Sequence, residues 1–378
     1  MKTPLAWRNF SHKKGRSLIA LCGISFAILL IFMQLGFYAA AQTNATNIYN
    51  ALDFDVLVLS PQYVFVARPA DFPRSRLEQA RAILGVESVV PVWMALGEWR
   101  SPEARERWNI LTIGVEPAQR PFRDPTLNNQ LSLLVSRDTG LIDLLSRPEH
   151  GHLAPGVASE VQHHRVRIVG QYTIGGGFVA GATLITSRET FLAVFKQLSA
   201  STDRINAGLV KIAPGVSARA VADEIKTQMW PVATALTRSD IAKAEKTFWL
   251  KVKPIGIMFT SGVLVAFAAG AVILYQVLAS EVQNRLSEYA TLKALGYGTR
   301  FIYGCVMRQA FIFSGLGFIP AFLFALVIYF LLRTQAMVPV TMELTRVIGV
   351  FVLTSVMCLS ATFLAIRKLR AADPAELF

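Results

Sequence analysis

The sequence lacks the short motifs that common enzymes use for nucleotide binding and catalysis. The dipeptide Gly-Lys does not occur, so the chain has no Walker A loop to cradle phosphates. HExxH and GxSxG are also absent, which removes the usual patterns of zinc proteases and serine hydrolases. We therefore predict that the chain is not an enzyme and holds no catalytic residue, cofactor or metal of its own.

Cysteines and charged residues are scarce. The three cysteines, Cys22, Cys305 and Cys358, lie in or beside long apolar runs, so the rest of the chain folds without disulfides. Charged residues make up 17% of the sequence and hydrophobic residues 53%, a balance typical of membrane proteins. Ionisable groups are nearly absent from the apolar runs, which argues against a proton- or ion-coupled carrier.

Four uncharged apolar runs are long enough to cross ~30 Å of hydrocarbon as helices. The first run also resembles a cleavable secretory signal, but it exceeds the ~7–15 apolar residues of such signals, so we expect an uncleaved anchor. The predicted transmembrane helices are 18–41, 254–280, 301–332 and 347–366.

Basic residues concentrate in the polar segments 1–17, 281–300 and 367–378, which carry eleven Lys and Arg against four Asp and Glu. Four spans place all three segments on one side of the membrane, and the positive-inside pattern identifies that side as the cytoplasm. Both termini are then cytoplasmic, residues 42–253 are exported, and 333–346 form a short outer loop. The formal charge of +13 suits anionic lipid headgroups, so the lipid bilayer rather than nucleic acid is the expected partner.

The exported region predicts a mixed α and β fold. The segments HHRVRIVGQYTI and FVAGATLIT flank three glycines at 175–177, which predicts a β-hairpin. The order of elements favours two small lobes with a seam at about 125–165. Alternating or β-branched runs predict strands at 53–59, 87–96, 107–115 and 206–212, and helical periodicity predicts helices at 74–84 and 217–229. The fold class is thus an α-helical membrane protein with four transmembrane helices and a large α+β extracytoplasmic (periplasmic) domain between the first and second.

Two groups of side chains leave alternatives open. Four histidines lie in a Gly/Pro-rich loop without regular spacing, so solvated histidines are favoured over a metal site. Arg308, in the third predicted span, snorkels to the cytoplasmic interface, marks a later start of that span, or lines a transport path. The histidines are His150, His152, His163 and His164, accompanied by Glu160.

Small residues recur every fourth position in the second predicted span, at Gly262, Ala266 and Gly270. Such a stripe allows another helix to approach closely. The neighbour is either another span of this chain or the same span of a second copy in a homodimer.

The connector after the second span has the features of a docking helix. Arg285 and Glu288 form an i,i+3 pair, while Leu292 and Leu295 continue an apolar surface until Gly296, a good helix terminator. This pattern predicts contact with a cytoplasmic partner, and a helix extension that only orders the loop is the alternative. A membrane receptor is disfavoured, because it would need a larger cytoplasmic output domain.

The stretch RLSEYATLKALGYGTRFIYGCVMRQA resembles the signature of FtsX/MacB-type ABC transporter permeases. LAWRNFSHKKGRSLIA resembles the family's basic amphipathic lead-in, and RKLRAADPAELF its closing tail. The LKALGY motif and the absence of a fused ATPase are most similar to the DevC branch. Arg308 departs from the pattern, because many relatives have an acidic residue where the third span begins. The matching positions are Arg285, Glu288, Leu292, Lys293, Ala294, Leu295 and Gly296.

The resemblance implies a non-catalytic permease subunit of the bacterial inner membrane, acting as a homodimer with a separate ABC ATPase that binds ATP and magnesium. It implies that ATPase motion passes to the exported domain by mechanotransmission. The DevC branch implies a periplasmic membrane-fusion adaptor, a TolC-like outer-membrane channel and export of a glycolipid or other amphiphile. The FtsX branch implies instead control of a cell-wall hydrolase. The implied ATPase-coupling residues are Arg285, Glu288, Leu292, Lys293, Leu295 and Gly296.

Overall fold

The computed structural model describes residues 14–104, 106–175, 177, 180–196, 203–284, 291, 295, 299–335 and 338–371. The chain divides into two compact units, Met1–Ala40 with Ile255–Phe378 and Ala41–Pro254. The first, the membrane unit, contains the long apolar helices. The second is an α+β domain inserted between the first and second of those helices.

Nine helices lie within the described residues. They are α1 (Lys14–Ala51), α2 (Arg74–Ala80), α3 (Pro125–Gln130), α4 (Arg188–Val194), α5 (Ala218–Met229), α6 (Arg238–Thr247), α7 (Ile255–Asn284), α8 (Thr299–Gln335) and α9 (Leu344–Ala371). Helices α1, α7, α8 and α9 are long and apolar enough to cross a membrane. Each satisfies its backbone hydrogen bonds internally, which hydrocarbon requires.

The membrane helices extend beyond the apolar runs that predict them. Helix α1 continues to Ala51, past the predicted end of the first span at residue 41, and α7 continues to Asn284. Pro320 lies inside α8 without ending it. Inward-facing residues of all four helices share one apolar core, which includes Ile28, Leu274 and Met357.

The α+β domain contains a nine-stranded mixed sheet. Its strands are β1 (Val56–Leu59), β3 (Val86–Arg100), β4 (Arg107–Val115), β5 (Thr139–Asp143), β6 (Ala158–Val161), β7 (His164–Tyr172), β8 (Ala182–Ser187), β10 (Ala207–Ile212) and β11 (Thr234–Thr237). Their order in the sheet is β11-β1-β10-β3-β4-β8-β5-β7-β6. Two short strands, β2 (Phe72–Pro73) and β9 (Arg204–Ile205), pair separately.

Both faces of the sheet are buried, so successive residues of a strand enter different cores. Val56 and Val58 lie in one core, which the helices α2, α4 and α5 cover. Leu57 and Leu59 lie in the other, together with α3, α6 and the end of α1. This arrangement explains why β1 is apolar at every position rather than alternating.

The hairpin predicted around residues 175–177 is wrong. Strand β5 lies between β7 and β8, pairing parallel with β7 and antiparallel with β8. The glycines still turn the chain, because Gly175 and Gly177 have positive φ values of 87° and 64°. The five residues of β5 are all buried and do not alternate, so its sequence has no strand signature.

The predicted seam at about 125–165 is also wrong. That segment contains α3, β5 and β6, and β5 is an interior strand of the sheet. The change of partner lies instead within β3, which has 15 residues. Its first part pairs with β10 and its second part with β4, so one long strand joins both halves of the sheet.

Candidate functional site

The predicted coupling connector is described at few positions. Leu295 is 71% exposed, and its backbone N–H donates to the carbonyl of Thr291 at 3.0 Å, as in a helical turn. On the membrane side, Val282 near the end of α7 is buried in the core of the membrane unit. The other predicted coupling residues, Arg285, Glu288, Leu292, Lys293 and Gly296, lie outside the described residues.

The small-residue stripe of α7 faces other helices of the same chain. A Cβ added to Gly262 would stand 2.5 Å from the Gln34 side chain of α1. A Cβ on Gly270 would stand 2.5 Å from the Met357 sulfur of α9 and 2.9 Å from Ala27. Ala266, between them, is buried. Gly262 and Gly270 therefore admit α1 and α9 at close range.

Polar groups of the membrane unit divide between its surface and its core. Arg308 is exposed, whereas the adjacent Gln309 is buried. The Tyr329 hydroxyl of α8 donates to the Phe32 carbonyl of α1. A Cβ at Gly36 would collide with that hydroxyl, so the glycine permits this link between two membrane helices.

The histidine loop contains one buried imidazole, contrary to the prediction of solvated histidines. His150 is 1% exposed, and its ring nitrogens lie 3.3 Å and 3.2 Å from the carbonyl oxygens of Arg147 and Asn109. His164 lies 2.6 Å from Asp138, away from this contact. No group of three potential metal ligands occurs among the residues that the structure describes.

Sequence reasoning missed the contact that closes the end of α1. Arg238, the first residue of α6, donates to the carbonyl oxygens of Tyr49, Leu52 and Phe54 at distances from 2.7 to 3.1 Å. Its guanidinium also lies 4.1 Å from the centre of the Phe54 ring. The last carbonyls of a helix have no intrahelical donor and carry partial negative charge, so a cation stabilises them.

A second contact joins the same two helices. The hydroxyl groups of Tyr49 and Tyr63 are 2.8 Å apart, and Tyr63 donates to the Glu245 carboxylate of α6. Glu245 is 1% exposed. Burial raises its pKa to about 7, although the hydrogen bond from Tyr63 acts to lower it.

Aromatic side chains surround this second contact. The Phe65 ring stacks on Phe248 at 4.5 Å and meets Trp249 edge-on at 5.6 Å. Phe248 and Trp249 belong to the π-helical turn Phe248–Val252, which follows α6 directly. The polar side chains Tyr49, Tyr63, Arg238 and Glu245 are therefore accompanied by the aromatic rings of Phe65, Phe248 and Trp249.

One local signal for this region was available in the sequence. Thr237 precedes Arg238, and its hydroxyl accepts from the backbone N–H of Asp240, as a helix N-cap does. The TRSD pattern therefore marks the start of α6. It does not reveal that Arg238 reaches carbonyls 184 to 189 positions earlier in the chain.

The fold defines a multi-pass membrane protein with an α+β domain inserted between its first two apolar helices. Residues 260–374 match the family model described as FtsX-like permease C-terminal. The match and the four apolar helices together indicate a multi-pass protein of the inner membrane. None of the curated proteins matches the chain.

Among the solved structures that resemble parts of this chain are two domains of other proteins. The periplasmic region of MacB from Actinobacillus actinomycetemcomitans has 12% identity and a TM-score of 0.36, covering 52% of this chain and 94% of that structure. The extracellular domain of the noncanonic ABC-type transporter YknZ from Gram-positive bacteria has 15% identity and a TM-score of 0.33, covering 49% and 99%. Because both TM-scores are below 0.5, the fold of the domain is described from its own strand order and not from these structures.

Proposed function

We propose that this protein is the permease subunit of an ABC-type export system and passes ATPase-driven motion to its α+β domain. The observation that carries the proposal is the FtsX-like permease match, which begins in α7 and includes the connector and the last two membrane helices. Because the sequence has no Walker A loop, ATP and magnesium belong to a separate ATPase subunit in this proposal.

The proposal places the connector 281–300 and both termini in the cytoplasm and the α+β domain in the periplasm. The excess of Lys and Arg in the three segments on that side supports this orientation. Two copies of the chain and two ATPase subunits form the working unit.

In the proposed mechanism, the connector receives the motion of the ATPase. Leu292 and Leu295 enter an apolar groove of the partner, and the exposure of Leu295 is consistent with this role. Arg285, Glu288 and Lys293 supply charge at the same surface. Gly296 ends the connector helix. Helix α1, a single element of 38 residues, contributes to both units and supplies a hydrogen-bonded path into the domain.

The finer proposal is a DevC-like tripartite system. A periplasmic membrane-fusion adaptor and a TolC-like outer-membrane channel then complete the path, and the substrate is a glycolipid or other amphiphile. Control of a cell-wall hydrolase, as in the FtsX branch, shares the same connector. The two functions differ in the partner that the α+β domain recruits.

The connector is tested with Leu292→Ala, Leu295→Ala and Glu288→Lys in the full chain. Losing the burial of one leucine side chain should weaken ATPase binding by roughly ten- to a hundredfold. Reversing the charge at Glu288 should also weaken binding, and less so at high salt if the contact is exposed. The measurements are pull-down of the ATPase from native membranes and stimulation of its ATP turnover.

The matched control is Leu84→Ala, since Leu84 is 96% exposed but lies in the α+β domain. If all three connector variants bind and stimulate like the parent, the connector is only a loop. ATP turnover by the purified chain alone would contradict the permease assignment. Proteins captured with the domain then decide between export, marked by an adaptor, and control, marked by a hydrolase.

A further inference from the structure

The α+β domain has two covalent connections to the membrane helices. Helix α1 leads into it, and the segment after α6 leads through the π-helical turn to α7, which begins at Ile255. The end of α1 and helix α6 lie in the same core, where Ile48 and Leu52 accompany Ile241. The entering and leaving segments are therefore neighbours within the domain.

Arg238 joins these segments at the start of α6. One guanidinium reaches the Tyr49 carbonyl in the last turn of α1 and the Leu52 and Phe54 carbonyls just beyond it. The backbone N–H of Arg238 also donates to the Asp55 carbonyl at 3.1 Å. Arginine suits this contact because its planar fork presents several N–H donors in a fixed geometry. A lysine ammonium would keep the positive charge but would not present several N–H donors in one plane.

Glu245 joins the segments near the other end of α6. It lies seven positions beyond Arg238, a separation of about 10 Å along a helix. Through Tyr63 its carboxylate is connected to Tyr49, whose own carbonyl accepts from Arg238. Two separate polar contacts thus hold α6 against the last turns of α1.

We propose that Arg238 and the Tyr63–Glu245 pair clamp the end of α1 to α6, so that both connections of the domain move as one body. The proposal rests on the proposed function, in which motion of the membrane helices is the transmitted signal. With the clamp closed, a displacement of α1 is passed directly to α6. With the clamp open, this direct connection between α1 and α6 is lost.

The clamp is tested by hydrogen–deuterium exchange of the full chain in lipid nanodiscs. Arg238→Gln should speed exchange of the amides in residues 48–55 and 238–247 together, by roughly ten- to a hundredfold, because a charged group and its hydrogen bonds are lost. Arg238→Lys should give a smaller increase in both segments. Tyr63→Phe should also raise exchange in both, since it removes only the hydroxyl.

The matched control is Arg219→Gln. Arg219 of α5 donates to Asp240 of α6 at 2.7 Å and also pairs with Asp223 of its own helix. Its side chain is exposed, and neither partner belongs to α1. It should leave residues 48–55 unchanged. Exchange that rises in only one segment, or equally in the Arg219 variant, overturns the clamp. If Arg238→Gln does not fold, the Lys and Phe variants give the same comparison.

A second measurement separates transmission from simple stabilisation. With its ATPase subunit bound, the parent chain should show ATP-dependent changes in exchange across residues 53–237. Arg238→Gln should keep ATPase stimulation but lose those changes. If they persist, Arg238 does not transmit motion. If the parent recruits no ATPase at all, the proposed function fails, while the exchange comparison still decides whether the clamp exists.

Discussion

Glu245, like Asp143, is an acidic side chain of the domain that is buried without an ion pair among the residues that the structure describes. The Glu245 carboxylate accepts a hydrogen bond from the Tyr63 hydroxyl, and burial raises the pKa of Tyr63 well above its ordinary value. Tyr63 therefore stays neutral throughout the range in which Glu245, with a pKa of about 7, changes charge. Proton uptake by the Tyr63–Glu245 pair near pH 7 therefore takes place at the Glu245 carboxyl group.

Glu245→Gln should remove a pH dependence of stability. A carboxyl whose folded-state pKa lies above its unfolded value contributes stability that is fully present below the unfolded pKa. That contribution is lost as the pH rises through about 7. The parent should thus lose on the order of 3 kcal/mol of unfolding free energy between pH 4.5 and pH 8.5, and the variant should lose much less. Thermal unfolding of the full chain in detergent measures this difference.

Glu224→Gln is the matched control for that experiment. Glu224 lies on α5 and is exposed, so its neutralisation should leave the pH profile of the parent unchanged. A parent whose stability is flat between pH 5 and pH 8 would show that Glu245 is not accommodated better as the neutral acid.

At the scale of elements, the packing of α7 depends on small residues at fixed positions. Gly270 meets Met357 of α9 and Ala27 of α1, and Gly262 meets Gln34 of α1. By contrast, a Cβ at Gly315 of α8 would meet nothing within 4 Å. The packing of α7 therefore requires glycine at positions 262 and 270, whereas α8 has space for a side chain at position 315, although all three lie in apolar runs.

Gly270→Leu should destabilise the membrane unit by roughly 1–3 kcal/mol, because the added side chain has no space between α1 and α9. Gly315→Leu, the matched control, should be close to neutral. The measurement is the thermal midpoint of each variant in detergent. If the Gly315 variant is the more damaging one, the important small-residue contact lies between copies rather than within the chain.

At the scale of the whole molecule, the orientation in the membrane decides which unit meets which partner. The sequence predicts that the α+β domain faces outward and that the connector faces the cytoplasm. Thr227 on α5 is exposed and therefore suits a reporter position in the domain.

A cysteine at Thr227, in a background without Cys22, Cys305 and Cys358, should react with an impermeant maleimide added outside the cells. A cysteine at Ser287 should react only after permeabilisation. The comparison is the labelled fraction before and after permeabilisation. Labelling of the Ser287 variant from outside would reverse the orientation and remove the basis for ATPase docking at the connector.

The residues that the structure describes include the small-residue positions of α7 but few of the predicted coupling residues. A local motif predicts a coupling role for Arg285, Glu288 and Lys293, and this role stays a prediction because they lie outside the described residues. The spacing of Gly262, Ala266 and Gly270 indicated close helix contact but left the neighbour open. The structure places α1 and α9 there.

The sequence by itself determined the four apolar helices and several strands, including β3 and β4. Crossing hydrocarbon requires about 20 consecutive apolar residues, and alternation within one strand is equally local, so both can be recognised from neighbouring positions. Only the tertiary structure decided that β5 lies between β7 and β8 and that Arg238 reaches the end of α1. A polar contact across 189 positions is favourable only where the folded domain excludes water, and local sequence does not specify that burial.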